Sequence, residues 1–284
     1  MKKILIISVL FLECFLIIYS KEITKEFTLT INLFIYTLMP TMFFQIFLSD
    51  ILYCTDFYKY IPIKICNKFN LNKKEFSIIL LSMFSGYPNN IKLLSKTDNE
   101  YLNYASNYVN PLFVLGTVGN IYLKNFNLSI IILFSHILSN LIMLFLLRKK
   151  YNYVELNHKE ISYTNSLKST INTLSIILSN LLFISILVTL LKIVLPFNNN
   201  INSFLLGIIE FSRGVYEISN LNISIYLKGL LITIIITFQS ISIHFQSISI
   251  NNKIKYIKYL FYRLLNVLIS IFIYFILVFI YTNV

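Results

Sequence analysis

The sequence predicts an all-α integral membrane protein with about seven transmembrane helices plus two re-entrant hairpins in an inverted repeat. Three observations predict it. Of 284 residues, 57% are hydrophobic and 13% charged, against roughly 45–50% and about 25% in soluble domains. The apolar residues run in long blocks separated by short, lysine-bearing loops, and a block of about 20 residues crosses a hydrocarbon core. Two blocks are short and interrupted: residues 76–96 by SGYPNN, and residues 203–219 by glycines and charges in FLLGIIEFSRGVYEIS. In hydrocarbon an unpaired backbone group costs several kcal/mol, so broken backbone persists only where protein or a water-filled cavity surrounds it.

The elements follow in order. Residues 1–26 form an N-terminal transmembrane helix and loop; Lys2 and Lys3 precede an apolar run to Ser20 with no small-x-small cleavage site before Lys21, so the helix is expected to stay uncleaved. A first repeat covers 27–150. Its opening span, about Phe27 to Leu52, carries Pro40 and a row of Asn32, Thr37, Thr41 and Gln45, expected on a face turned to protein rather than lipid. Residues 76–96 are too short and too broken to span. The nine residues FSIILLSMF rise about 14 Å at 1.5 Å each, which reaches mid-bilayer, so a hairpin with its tip at Ser85 to Asn90 fits better than a crossing.

A span from about Leu102 to Leu123 is expected to break at Pro111, which removes a helical donor and clashes with the preceding turn, freeing carbonyls near Asn107. Leu128 to Leu147 is a regular span in which His136 reads as an interhelical hydrogen-bonding group. Residues 151–168, with Glu155, His158, Lys159, Glu160 and Lys168, read as a cytoplasmic linker. The second, inverted repeat covers 169–284: a span from Thr170 to Leu195, a hairpin at 203–219, a span from Ile223 to Ile250 with the polar run TFQSISIHFQSIS, and a last span from about Tyr259 to Tyr281.

Charge tests this order. With a cytoplasmic N-terminus, the loop holding Lys59, Lys64, Lys68, Lys73 and Lys74, the run Arg148–Lys150, and the loop with Lys253, Lys255 and Lys258 all fall inside, as the positive-inside rule prefers. The two hairpins then enter from opposite faces, the architecture of many secondary transporters. The same placement accounts for the net charge of +12 without nucleic acid as a partner; the partner expected is the lipid bilayer of the cell membrane. Cys14, Cys54 and Cys66 show no CxxC spacing, so neither a disulfide framework nor a metal site is indicated. No HExxH, GxSxG or phosphate-binding loop is present, so the expectation is no enzyme and no cofactor.

The residues expected to line a pathway are Ser85, Asn89, Asn90, Asn107 and Asn110 from the first repeat, and Glu210, Ser212, Arg213, Gln239, Ser240, His244 and Gln246 from the second. Amides, hydroxyls, imidazole and one buried carboxylate suit a small, neutral, hydrogen-bonding solute, with Glu210 or His244 as candidate proton carriers. The alternative is that Glu210 pairs with Arg213 and that the amides satisfy the broken backbone, as in a non-transporting structural or assembly factor. A homo-oligomer is compatible with either reading.

Four ordered motifs add a resemblance. SGYPNNIK, NYVNPLFVLGTVG, LLGIIEFSRG and SISIHFQS resemble the nucleoside-recognition (Gate) domain group, most closely the sporulation integral membrane protein YlbJ family of endospore-forming Firmicutes. Ser85, Gly86, Pro88 and Lys92 carry the first match; Asn107, Pro111, Leu112, Phe113 and Gly116–Gly119 the second; Glu210, Ser212 and Gly214 the third; Ser242, His244 and Gln246 the fourth. Asn90, Ile91, Arg213, Gln239 and Ser240 stand where that family usually has glycine or small residues. The resemblance implies a nucleoside-transporter-like membrane fold, a role in spore formation at the membrane of the developing spore or mother cell, and a nucleoside-like molecule as one candidate solute.

Overall fold

The computed structural model describes residues 2–55, 57–97, 99–148, 162–194 and 199–283. Most of the expected linker at 151–168 and the turn around Pro196 lie outside these residues. The described residues are mostly helical and include no strand, and five stretches are long and apolar enough to cross a membrane: Ser20–Cys54, Phe126–Leu147, Tyr163–Ile193, Ile225–Ile250 and Tyr256–Asn283. Two more apolar helices, Ile6–Ile18 and Phe113–Tyr122, are shorter than a span. The molecule is inside out relative to a soluble protein: Phe134, Phe145, Leu268, Phe272 and Phe279 are exposed, while Asn89, Asn107, His136, Asn140 and Arg263 are buried. Water would not tolerate that much continuous apolar surface; lipid does. This is a polytopic membrane protein.

Helix α1 (Lys2–Ile18) runs into α2 (Ser20–Leu33). The hydrogen bonds Tyr19 N to Phe15 O and Ile23 N to Tyr19 O, both 3.0 Å, carry the helix across the junction. Sequence reading expected a loop at KEITKE; those residues are good helix formers with no glycine or proline to stop them, and the chain does not turn. Most of α1's apolar side chains are exposed. A π-helical turn at Phe34–Leu38 then leads into α3 (Met39–Cys54). Pro40 cannot donate and crowds the carbonyl four residues back, and the widened turn absorbs the misfit. The buried stripe of this rod is Phe34, Leu38, Met42 and Ile46. The expected polar face is only partly inward: Asn32 is exposed, Thr37 and Thr41 are half-buried with their hydroxyls bonded back to Leu33 O and Thr37 O of their own helix, and Gln45 is half-buried with its Oε1 fully covered. A hydroxyl so satisfied can face lipid.

After α4 (Ile63–Lys68), α5 (Lys73–Ser85) starts on a capping box in which Asn72 Oδ1 accepts from Glu75 N at 2.8 Å and Glu75 Oε2 accepts from Asn72 N at 3.1 Å. Gly86–Pro88 turns the chain into α6 (Asn89–Leu94), which folds back on α5. A single turn, α7 (Leu102–Ala105), precedes the non-helical residues 106–110 and the π-helical Phe113–Tyr122. Helix α8 (Phe126–Leu147) follows.

The second half repeats the order. Helix α9 (Tyr163–Val194) is a long rod, α10 (Asn199–Ile209) and α11 (Phe211–Ser219) form a tightly packed pair, α12 (Ile225–Phe238) and α13 (Ser240–Ile250) are one span broken at Gln239, and α14 (Tyr256–Asn283) closes the chain. Helix α9 packs along both α2 and α3, while α8, α12 and α14 pack on one another. Glu26 meets Lys192 at one end of the first group and Asp50 meets Ser169 at the other, so α2–α3 and α9 are antiparallel.

Candidate functional site

The break before Pro111 is held by side chains from three elements. Proline lacks the N–H and disfavours helical backbone at the residue before it, so residues 106–110 need other partners. Tyr87 N donates to Tyr108 O at 2.9 Å. Asn90 Nδ2 donates to Ser106 O (3.2 Å) and to Asn107 Oδ1 (3.3 Å), and Asn107 Nδ2 donates to Asn103 O at 2.6 Å. Asn110 Oδ1 accepts from Phe113 N (3.1 Å) to start the next helical run, and its Nδ2 donates to Thr41 O (3.2 Å) and Ser85 O (3.4 Å). His136 Nε2 accepts the Val109 N–H at 3.0 Å, which places the ring proton on Nδ1, 3.2 Å from Thr237 Oγ1. Gly86, at φ +66°, is required here: a Cβ would sit 2.7 Å from Asn110 Cα and 2.8 Å from Val109 C.

Glu210 makes the second interruption. Its backbone is extended, and its carboxylate accepts from Ser212 N (2.9 Å), from Ser212 Oγ (2.9 and 2.8 Å) and from Arg213 N (2.5 Å). Those are the orphan donors of a helix start, so Glu210 is the N-cap of α11. Arg213 turns away from Glu210 to Glu217 (2.8 Å) and Glu26 (3.5 Å); the alternative in which Glu210 and Arg213 pair does not describe this arrangement. The α12–α13 break has positive φ at Gln239 (71°) and Ser240 (42°). Ser240 Oγ donates to Gly207 O at 2.5 Å, tying it to α10, and Tyr259 donates to Gln239 Oε1 at 2.7 Å. His244 Nε2 lies 2.8 Å from Phe238 O. A carbonyl only accepts, so Nε2 carries the proton and Nδ1 is a bare acceptor.

The interruptions meet. The Phe211 ring lies against Tyr87 at 5.3 Å and against Phe113 at 5.1 Å between centroids, and α6 packs on α13. Around this junction several buried groups have no protein partner: both amide atoms of Asn89, Asn90 Oδ1, Gln239 Nε2, Ser242 Oγ and His244 Nδ1. Of the twelve sequence-selected residues, Asn89, Asn90, Gln239 and His244 thus keep open valences at the junction, and Arg213 keeps one at Nη1. Asn107, Asn110, Glu210, Ser212 and Ser240 spend theirs on the broken backbone or on helix caps, and Ser85 bonds back to Leu81 O. Gln246 is buried on α13, and Arg213 belongs to an ion cluster instead.

Sequence reading missed Arg263. It is fully buried on α14, donates one bond to Tyr104 O, and lies 5.7 Å from the Tyr259 ring centroid, yet its Nε and Nη1 have no partner. No carboxylate pairs with it among the described residues. A guanidinium stays protonated, and a buried cation without a counter-charge is among the costliest groups a protein can keep. The signal was present, an arginine inside an apolar span, but Arg263 lies close to the basic loop Lys253–Lys258 and reads with it. Comparison with family models, with curated proteins and with solved structures returns no match for this chain.

Proposed function

We propose that the protein is a permease for a small polar solute, with α5–α6 and α10–α11 as re-entrant hairpins that enter from opposite faces and meet at the solute site. The observation that carries this reading is the collection of buried, unpartnered polar atoms at Asn89, Gln239, His244 and Arg263. A protein built only for stability pairs such atoms or replaces them, whereas a binding site leaves them for its ligand. Asn89 and Gln239 offer amide donors, His244 Nδ1 an acceptor and Arg263 the N–H groups of Nε and Nη1. That set favours an acceptor-rich solute with a negative charge facing Arg263 over the neutral solute expected from sequence. Glu210, fully engaged as a cap, is poorly placed to carry a proton.

The role in spore formation rests on the motif resemblance alone, and so does the choice of membrane. The non-transporting reading draws on Asn90, Asn107 and Asn110, which do satisfy the broken backbone. Liposomes holding the purified protein decide between them. Transport predicts uptake of a small anion that falls at least about tenfold in Arg263→Gln and Asn89→Leu, the loss expected when a buried charge or hydrogen-bonding partner is removed. Wild-type liposomes no more permeable than empty ones to a panel of nucleosides, nucleotides and organic acids would sink it. Spore yield and small-molecule content after gene deletion test the sporulation role.

A further inference from the structure

The charged side chains left over from the solute site form two clusters, one at each end of the α2–α3 rod. Toward the C-terminal end, Lys92 of α6 lies 2.7 Å from Asp50 Oδ2, which also accepts from Ser169 of α9 at 2.7 Å. Toward the N-terminal end, Lys192 of α9 lies 2.6 Å from Glu26 Oε1, and Arg213 of α11 lies 3.5 Å from Glu26 Oε2 and 2.8 Å from Glu217. From Glu26 to Asp50 the rod rises about 36 Å at 1.5 Å per residue, a little more than a hydrocarbon core about 30 Å thick. The clusters therefore fall at opposite boundaries of the membrane.

The two share a plan. Each cation rides on the returning arm of a hairpin, Lys92 just past Pro88 and Arg213 just past Glu210, and each meets a carboxylate on the same rod while α9 supplies the third group. We infer that these clusters are a pair of latches, each closing one hairpin against α2–α3, so that one face opens while the other stays shut. The inference rests on the permease reading.

Three features favour latches over fixed struts. The carboxylates of Asp50 and Glu26 are buried while Lys92 and Lys192 stay partly exposed, so solvent tempers the attraction and the cost of desolvating the carboxylates offsets much of what remains, which leaves closed and open arrangements close in energy. Each cluster also keeps an unsatisfied buried atom, Asp50 Oδ1 in one and Arg213 Nη1 in the other. A strut selected for stability would have bonded both. Finally, a cleft of about 430 Å³ runs between α6 and α9, with Lys92, Lys168, Ser169 and Thr173 in its wall and Pro88 of the first hairpin turn at its edge. Lys92 and Ser169 of the Asp50 latch thus line the same opening as Pro88, the residue before Asn89 at the hairpin tip.

The test is labelling by a membrane-impermeant maleimide in oriented vesicles. The three native cysteines are replaced, and a single cysteine is placed at Ser85 or at Ser212. Asp50→Asn should speed labelling at residue 85 about tenfold from the face bearing the Lys59–Lys74 loop and leave the opposite face unchanged, a shift within the usual range of coupling between two states. Glu26→Gln should do the converse at residue 212. The double exchange Asp50→Lys with Lys92→Asp should restore slow labelling, which separates a latch from general unfolding. Labelling that rises from both faces, or from neither, or that the exchange does not restore, overturns the inference. The assay needs no solute, so the latches can fail while transport stands, and the reverse.

Discussion

At the scale of single residues, the site is a contest between side chains that repair broken backbone and side chains left open. Glu210 is a repairer. Glu210→Ala should cost about 1–2 kcal/mol, the usual worth of an N-cap, and Glu210→Asn should recover most of it; thermal denaturation in detergent measures both. A proton carrier would not be rescued by an amide. His136→Leu leaves the Val109 N–H buried without an acceptor and should cost about 1–3 kcal/mol by the same measurement. The asparagines at 89, 90, 107 and 110 were legible in the sequence as a group, because polar side chains around a proline in an apolar chain have few other uses. Their division was not. Whether an amide repairs or waits depends on which carbonyl lies within 3.5 Å, and Ser106 O meets Asn90 only because α6 folds back on it.

At the scale of elements, interruptions were easier to read than continuities. Proline and glycine announce a break in local chemistry: Gly86, Pro88 and Pro111 stood out, and each sits where helix stops or starts. The α12–α13 break has no such marker, since Gln239 and Ser240 adopt positive φ without glycine's freedom, and His244, Tyr259 and Gly207 hold it. The missing turn at KEITKE shows the converse. Charges look like a loop in a composition scan, but on α2 they fall where Glu26 can reach Lys192 and Arg213. The second hairpin also depends on contact without side chains. Gly207 and Gly214 face each other so closely that a Cβ on Gly214 would meet the Gly207 backbone. Gly214→Val should therefore splay α10 from α11 and abolish folded, monodisperse protein, read by size-exclusion chromatography, while Gly116→Ala, with only Leu112 Cδ1 at 3.8 Å, should be nearly neutral.

At the scale of the whole molecule, a long helix, a packed pair of short helices, an interrupted helical stretch and a last long helix follow one another in both halves, and charge in the loops gives the faces expected of them. Reporter fusions ending at Lys68 and at Lys253 should give the cytoplasmic signal, and one ending at Asn222 the opposite; agreement of all three faces would leave no inverted repeat. The number of spans was the least legible quantity, because the charges of KEITKE read as a loop while the helical hydrogen bonds run on through Tyr19. Helix α1 has one further consequence. Among its described side chains it buries little besides Phe15, whose ring lies against Tyr19, so few neighbours constrain the shape of the rest. Selection on residues 4–18 then acts through greasiness alone. Leucine, isoleucine, valine and phenylalanine should replace one another freely there over evolutionary time, while α8, wedged between α12 and α14, keeps its sequence.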